Sequence, residues 1–314
     1  MGAIALPHVV RLERVPPPIA VAIWGSGLAL RALTGLAGAL YLLAFLPQTA
    51  LFAALTHWCW HTALPLLATH LGLDGHELGD TAVVMPSFFL AASVLWVAFG
   101  IVRAARSVRT LLERGAVGTG PANSVIVGGA DVLVAAAGFS RPRVVVSAGA
   151  LTAFDDEELA AGLAHERGHI ARGHRFVLLC GELARGLARF LPGTRRALSE
   201  LSFHLERDAD HWALARRHDP FALASAICKA ATPHPTLSSC GVTALSGGGR
   251  VGERLAQLLD GRSPRLGSLR LRLLHVAASA MVLAAVGFAV LLPATAAAGL
   301  RQAGEEPELR HCAR

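Results

Sequence analysis

Three residues in one short segment, LAHERGH at 163–169, have the types and spacing to bind and activate a metal: His165, Glu166 and His169. On a helix, two histidines four residues apart project from one face and can chelate a single zinc ion through imidazole nitrogens. Glu166 then lies one step around the helix, beside the coordination position left for water. A carboxylate there can take a proton from metal-bound water and pass it to a leaving amine. The spacing therefore predicts zinc-dependent hydrolysis of a peptide bond.

A zinc site of this kind needs a third protein ligand and one position left for water. A third histidine six residues after His169 is absent, because that position is Arg175. Glu206 is the favoured candidate, since a carboxylate from a second helix would complete a His, His, Glu set for one zinc ion per chain. Asp210, four residues later on the same face, could accept the second N–H of a ligand histidine and fix its tautomer. Less favoured substitutes for the third ligand are His174, His204, Asp208 and His211.

The elements that must position these residues include three helices. Asp155 or Asp156 is predicted to cap the helix that carries the HExxH motif, with acidic residues in the first turn, where the helix dipole favours them. A second helix is predicted over 175–191, and a third over about 195–217 holds the candidate third ligand. The zinc site forms only if the motif helix and the third helix lie together.

A small sheet is predicted on the N-terminal side of the motif helix. Three short apolar runs, rich in Val and separated by Gly, Asp and Pro, are typical of an antiparallel sheet: 124–127, 132–136 and 144–147. Residues 115–121 are predicted as a loop, 148–153 as a short helix and 251–259 as an amphipathic helix. The pattern indicates one α+β domain of catalytic size.

Several segments resemble those of known integral-membrane zinc peptidases: PRVVVS at 142–147, the stretch from Leu151 to Glu158, and the HExxH segment itself. The chain is similar to two related groups, the penicillinase-regulator (BlaR/MecR-type) family and the group that contains HtpX and the CAAX prenyl proteases. The resemblance covers roughly residues 120–260. It implies a zincin-like (gluzincin) metallopeptidase domain inserted between membrane helices. It also implies site roles: zinc ligands His165, His169 and Glu206, catalytic base Glu166, and Asp210 as the carboxylate behind a ligand histidine.

Two further segments are closer to the penicillinase-regulator pattern: the apolar stretch 176–191 and the segment 250–255 before the last apolar run. The best-known members of that family carry a large extracellular β-lactam-binding sensor after their last span, whereas only 299–314 follow it here. Direct β-lactam sensing is therefore not expected. The resemblance also implies that an extended peptide substrate adds alongside an edge strand such as 132–136.

The composition indicates a membrane protein. Of the 314 residues, 53% are hydrophobic and only 16% are charged, and the mean hydropathy is +0.49. A soluble domain carries about a quarter of its residues as charges. The net charge is +7, and nearly all positive residues are Arg. They cluster beside apolar runs, as in loops that set membrane topology, so direct binding to nucleic acid is not expected.

Three apolar segments are long enough to cross a bilayer, which takes about 20 residues. The strongest is 82–102, which has no charged residue; 273–298 is interrupted only by His275, and 19–46 contains Arg31. Arg31 lies either inside the span, facing protein or snorkelling, or just before its true start. The spans divide the chain into an N-terminal segment, an outer loop, a peptidase domain and a tail, at 1–18, 47–81, 103–272 and 299–314.

The distribution of arginine predicts the orientation. The loop 47–81 contains no Lys or Arg, whereas Arg11 and Arg14 precede the first span and the segment 103–272 is rich in Arg at both ends. Under the positive-inside rule, the N-terminus and the central domain face the cytoplasm. We therefore expect a multi-pass protein of a bacterial-type cell membrane, with the loop and the tail outside.

The outer loop contains His57 and His61, four residues apart, with Trp58 and Trp60 between them. A second metal site is conceivable there, but an interfacial amphipathic helix with an aromatic belt is the favoured interpretation. The five cysteines are scattered and form no CxxC pair, so neither a disulfide framework nor a cysteine zinc site is predicted.

The favoured function is a membrane zinc endopeptidase that cleaves a protein substrate, such as a transcriptional repressor, on the cytoplasmic side. A quality-control peptidase of the HtpX kind is the second hypothesis. A non-catalytic zinc-binding membrane scaffold is the third, although an inactive relative has no chemical need for Glu166. A site-2-type intramembrane protease is disfavoured, because Arg167, Arg172 and Arg175 make the surroundings of the motif too polar for a lipid-buried helix.

Overall fold

The computed structural model describes residues 15–45, 115–138, 141–231, 243–244 and 250–260, together with Leu12 and isolated positions within 88–110 and 273–287. A 3-10 turn, Pro121–Asn123, joins the first two strands. In chain order the other elements are α1 Pro17–Phe45, β1 Ala116–Thr119, β2 Val125–Val127, β3 Val134–Ala137, β4 Arg143–Ser147, α2 Ala148–Ala153, α3 Asp156–Ala171, α4 His174–Leu187, α5 Thr194–Leu214, α6 Pro220–Ala230, β5 Thr243–Ala244 and α7 Val251–Leu259.

The five strands form one mixed sheet in the order β1-β2-β4-β3-β5. β4 is antiparallel to β3 but parallel to β2, whereas β1 pairs antiparallel with β2 and β5 pairs antiparallel with β3. The three predicted apolar runs are confirmed as β2, β3 and β4, but the prediction of a purely antiparallel sheet is wrong. β4 is buried at four of its five positions and lies in the centre. β2 and β3 pair with opposite edges of β4, and they run in opposite directions because one is parallel and the other antiparallel to it.

The prediction of a loop over 115–121 is also wrong, because this region contains β1. All four residues of β1 are exposed, so the strand lacks the alternation of apolar and polar residues by which a half-buried strand is recognised. β5 has only two residues, and it pairs with the outer edge of β3 at Ala135 and Ala136. The sheet therefore extends beyond the predicted three strands on both sides.

The HExxH motif lies on α3, whose N-terminus is fixed by a capping box. The Asp155 carboxylate accepts a hydrogen bond from the Glu158 N–H (2.8 Å), and the Glu158 carboxylate accepts one from the Asp155 N–H (3.0 Å). The same Glu158 side chain accepts hydrogen bonds from Ser225 and Lys229 on α6. Of the two predicted caps, Asp155 is therefore the one observed, and its partner Glu158 also ties α3 to α6.

The first hydrophobic core lies between the sheet and the helices α3 and α6. Its buried residues include Val146 of β4, Leu163 of α3 and Leu223 and Ile227 of α6. α5 crosses close to α3, since a Cβ atom added at Gly168 would lie 3.0 Å from the Trp212 side chain. The absence of a side chain at Gly168 therefore lets the two helices that carry the predicted ligands approach each other.

A second core joins α1 to α4 and α5. Ile23, Trp24 and Leu28 of α1 are buried against Leu201 and Leu205 of α5 in this cluster. Met281, which belongs to the predicted span 273–298, is buried in the same cluster. The apolar helix α1 is therefore packed on the domain that carries the site.

One helix in the described part of the chain is long and apolar enough to cross a membrane, namely the stretch Pro17–Gly38 of α1, and more than half of it is buried within the protein. A core helix passes the same test of length and composition. α1 includes Arg31, whose side chain is buried, so this arginine lies inside the helix and faces protein.

Most of the other predicted membrane topology falls outside the described residues. This applies to the loop 47–81 with His57 and His61, to the tail 299–314, and to most of the spans 82–102 and 273–298. The described positions within these two spans are helical. The domain boundaries and the orientation therefore stay predictions.

Candidate metal centre

The structure brings His165 and His169 on α3 together with Glu206 on α5. The two Nε2 atoms lie 3.1 Å apart, and the Glu206 carboxylate lies 3.5 Å from His165 Nε2 and 3.4 Å from His169 Nε2. Zinc ligands at about 2.0–2.1 Å in tetrahedral geometry are roughly 3.3–3.4 Å from one another. The two imidazole nitrogens and the Glu206 carboxylate, whose Oε2 faces His165 and whose Oε1 faces His169, therefore have the spacing of ligands around a single zinc ion.

The electrostatics of these three groups also favour a bound cation. The three side chains are buried. Burial tends to lower the pKa of His165, but Asp210 and Glu206 outweigh it and raise that pKa to about 9. Burial tends to raise the pKa of Glu206, but His169 and Arg254 outweigh it and lower that pKa to about 2. Burial tends to raise the pKa of Asp210 as well, but Arg254 and His165 outweigh it and lower that pKa. The ionised carboxylates of Glu206 and Asp210 therefore attract positive charge to the point where the imidazole nitrogens meet.

Asp210 holds the first histidine from behind. Its Oδ1 atom lies 2.9 Å from His165 Nδ1, one helical turn beyond Glu206. A carboxylate at this position favours the tautomer with the proton on Nδ1, so the lone pair of His165 Nε2 is directed at the metal position. This is the contact that the spacing of Glu206 and Asp210 predicts.

Arg254 of α7 connects the two carboxylates, and the sequence did not single it out. Its Nε and Nη2 atoms contact the two oxygens of Asp210 at 3.0 and 2.8 Å, and its Nη1 atom lies 2.9 Å from Glu206 Oε2. The guanidinium is 1% exposed. Burial tends to lower its pKa, but Asp210 and Glu206 outweigh this and raise it. Arg254 therefore stays charged and fixes both carboxylates in place.

Glu166 lies on the sheet side of the centre, completely buried. Its Oε2 atom accepts a hydrogen bond of 2.7 Å from the Ala136 N–H of β3, and no described residue forms a hydrogen bond with its Oε1 atom. Burial raises the pKa of this carboxyl to about 8. A carboxyl with one anchored oxygen, one free oxygen and a raised pKa can exchange a proton near neutral pH.

The four less favoured ligand candidates do not join the three-ligand group found among the described residues. His174 contacts His169 from the side away from Glu206, and Asp208 in turn contacts His174. His204 is directed at Arg207, and His211 is exposed. Of the five candidates for the third ligand, Glu206 alone is placed to bind the same ion as His165 and His169.

Comparison with protein-family models gives a match to a peptidase family. Residues 106–197 match the family model of peptidase family M48, a range that includes His165, Glu166 and His169 but ends before Glu206. No curated protein sequence matches the chain. The match covers less than a third of the chain and supports a metallopeptidase of this generally zinc-dependent family. The finer assignment to the penicillinase-regulator or the HtpX group stays a prediction.

Proposed function

We propose that the chain is a membrane-anchored zinc endopeptidase. The observation that carries this proposal is the convergence of His165 Nε2, His169 Nε2 and the Glu206 carboxylate at 3.1–3.5 Å beside the buried Glu166. Two imidazoles and one carboxylate are the ligands of a catalytic zinc, which keeps a fourth position for water. The family match over 106–197 supports the same chemistry.

The residues would divide the reaction as follows. His165, His169 and Glu206 would hold the zinc ion, which when bound supplies Lewis acidity and lowers the pKa of water. Glu166 would accept the proton from that water through its unengaged Oε1 atom and deliver it to the leaving amine. The N–H of Ala136 holds the other Glu166 oxygen, so the carboxyl keeps its orientation during the transfer.

β3 is the strand best placed to bind a peptide substrate in extended form. Its Ala136 N–H donates a hydrogen bond to Glu166, so the backbone of this strand lies next to the proposed base. Extended peptides commonly bind by adding a strand to the exposed edge of a sheet, and the outer edge of β3 would be that edge here. β5 pairs with the same edge at Ala135 and Ala136, so the substrate would either bind beside this two-residue strand or displace it.

Membrane anchoring is supported by exposed apolar side chains outside the peptidase core. Helical positions within 88–102 and 273–286 expose large hydrophobic residues, by 43–77% of their surface: Phe88, Leu95, Trp96, Phe99, Val102, Leu273, Val276, Val282, Leu283 and Val286. Exposed apolar surface on this scale marks a contact with lipid or protein. Together with the apolar helix α1, it supports anchoring of the domain to a bilayer.

We infer the cytoplasmic side from the arginine distribution, and a regulatory substrate from the resemblance to the penicillinase-regulator family. A transcriptional repressor that cleavage releases from its binding partner would fit both the cytoplasmic location and the regulatory role. The alternative is a quality-control role in which damaged membrane proteins are cleaved. The number of substrates distinguishes the regulatory role from the quality-control role.

The test compares membranes from cells that produce the wild type, Glu166→Gln and Glu157→Gln. Glu157 lies on the same helix but is exposed, so its amide variant is the matched control. Protein fragments with new N-termini are expected in the wild type and the control and absent in Glu166→Gln. One dominant substrate would support a regulatory role, and many membrane proteins would support quality control. Identical fragments in all three samples would contradict the peptidase proposal.

A further inference from the structure

A buried pair of polar side chains, His174 and Asp208, lies behind His169 and outside the three-ligand group. We propose that this pair positions His169 for the metal, so that the second zinc-binding histidine is held by a carboxylate acting through another imidazole. The inference rests on the proposed zinc site and adds two residues to it. His174 and Asp208 touch neither the ligand position nor the substrate edge, so they are positioning residues.

The two ring nitrogens of His169 contact different partners on opposite sides. Nε2 lies 3.4 Å from Glu206 Oε1, whereas Nδ1 lies 2.9 Å from His174 Nδ1. The rings of His169 and His174 are nearly perpendicular, at 82°. The other nitrogen of His174, Nε2, lies 3.1 Å from Asp208 Oδ2. The contacts form one continuous chain from the metal position to a carboxylate.

When a metal is bound at His169 Nε2, only one arrangement of protons gives each contact from His169 through His174 to Asp208 one donor and one acceptor. His169 Nε2 must present its lone pair to the metal, so the proton of the neutral ring is on Nδ1. His174 Nδ1 must then accept that N–H, which leaves the proton of His174 on Nε2. This N–H is donated to Asp208 Oδ2. Metal binding and the preference of Asp208 for a donor therefore select the same tautomers.

The burial of the pair shows that it is not an ordinary surface contact. His174 is 3% exposed and Asp208 is 5% exposed. Apolar residues of similar volume would fill this space without the cost of desolvating a carboxylate. Arg172 offsets part of that cost, since its Nε atom lies 3.5 Å from Asp208 Oδ2. The need to orient His169 explains why polar groups occupy this position.

The turn between α3 and α4 places His174 behind the ligand. α3 ends at Ala171, and Gly173 adopts the left-handed conformation (φ 67°) that reverses the chain before α4 starts at His174. Glycine tolerates this conformation without steric cost. His174 thus returns to His169 within five residues, while Asp208 reaches it from α5, two residues after Glu206.

The two ligand histidines are therefore supported in different ways. Asp210 contacts His165 directly at 2.9 Å, whereas Asp208 acts on His169 through His174. Removing a partner that orients a ligand histidine typically lowers metal affinity by about 10–100-fold. We expect a loss within this range when His174 can no longer accept the His169 N–H.

The test compares His174→Leu with His174→Asn in the purified full-length chain. The two side chains have similar size, but the amide oxygen of Asn can take the place of the acceptor Nδ1, which Leu lacks. Zinc affinity is measured by competition with a chelator, together with the melting temperature of the metal-free protein. We expect about 10–100-fold weaker zinc binding for Leu and a smaller loss for Asn, which keeps the acceptor for His169 but not the N–H donated to Asp208, with similar metal-free stability for the two variants.

His204→Leu is the matched control, because His204 is also a buried histidine but contacts Arg207 and none of the three ligands. It should leave zinc affinity unchanged. If His174→Leu does not fold, Asp208→Asn replaces it, and at least about tenfold weaker binding is expected. Wild-type affinity in the Leu variant, or equal losses in Leu and Asn, would overturn the inference. Failure of the wild type itself to bind zinc would instead overturn the proposed function.

Discussion

Arg254 makes a bidentate ion pair with Asp210, with contacts of 3.0 and 2.8 Å, directly behind the first histidine of the metal centre. The same guanidinium reaches Glu206 at 2.9 Å. One cation from α7 therefore pairs with both the proposed ligand carboxylate and the carboxylate that contacts His165, and it balances only one of their two negative charges. It ties α7, near the end of the domain, to α5, the helix that carries Glu206 and Asp210.

Removing this cation should destabilise the protein and weaken the site. Arg254→Gln leaves two buried carboxylates without their shared partner, and breaking a buried ion pair typically costs about 3–5 kcal/mol. The free energy of unfolding of the metal-free protein measures this cost, and zinc competition measures the loss at the site. Arg250→Gln is the control. Arg250 is on the same segment but partly exposed, with Glu200 and Glu253 as partners, so about 1 kcal/mol or less is expected. Equal effects of the two variants would contradict the role of Arg254.

The sequence predicts the ligand helices well but misses contacts that depend on tertiary structure. The helix carrying His165 and His169 follows from its capping residues, and the helix carrying Glu206 is also predicted. The predicted contact of Asp210 with a histidine of the motif is observed at His165, whereas the roles of these residues as zinc ligands stay predictions. Arg254 is 44 residues from Asp210 in sequence, and its segment is recognisable only as an amphipathic helix and by the resemblance of 250–255 to the penicillinase-regulator pattern. No local pattern indicates that α7 turns a charged residue into the core.

The pairing of strands in the sheet also depends on tertiary structure and is not predicted from the sequence. The strands β2, β3 and β4 are visible as short apolar runs, but the pairing of strands depends on which of them is buried at the centre. The helix α6 is also not among the predicted elements, although Asp219 as N-cap and Pro220 in the first turn are signals of a helix start.

Close packing of α3 on α5 should be necessary for the metal centre. Gly168→Val adds a branched side chain where even a Cβ atom would be 3.0 Å from Trp212, so the helices carrying His169 and Glu206 must move apart. We expect a loss of about 1–3 kcal/mol in the free energy of unfolding and weaker zinc binding. Gly252→Val on α7 is the control, because no atom lies within 4 Å of its added Cβ. Unchanged zinc affinity in Gly168→Val would show that the separation of α3 and α5 is not critical.

The raised pKa of Glu166 predicts a pH dependence of stability in the metal-free protein. Burial raises this pKa from an ordinary value of 4.5 to about 8, so the folded state binds the proton more tightly than the unfolded state. The resulting stabilisation is present below about pH 4.5 and is lost as the pH rises to about 8. Relative to Glu166→Gln, which cannot ionise, the wild type should become less stable over this interval. A constant difference between the two unfolding free energies from pH 4.5 to 8 would rule out the burial effect.

Membrane integration should depend on the exposed apolar positions of the predicted spans. Leu283→Arg puts a charge at a helical position that is 69% exposed, which costs about 2.5–3.5 kcal/mol at the centre of a bilayer. We expect a smaller fraction of the chain to resist alkaline extraction from membranes. Phe221→Arg, at a 66% exposed position of α6 in the peptidase domain, is the control and should extract like the wild type. Complete extraction of the wild type would contradict membrane anchoring.

The zinc content of the purified chain tests the central claim most directly. Elemental analysis after dialysis should find one zinc ion per chain in the wild type and in Glu166→Gln, because Glu166 is proposed as the base and not as a ligand. Glu206→Gln should lose most of its zinc, while Glu200→Gln on the same helix should keep it. A wild type without zinc, or a Glu206→Gln variant that retains a full equivalent with unchanged affinity, would contradict the proposed centre.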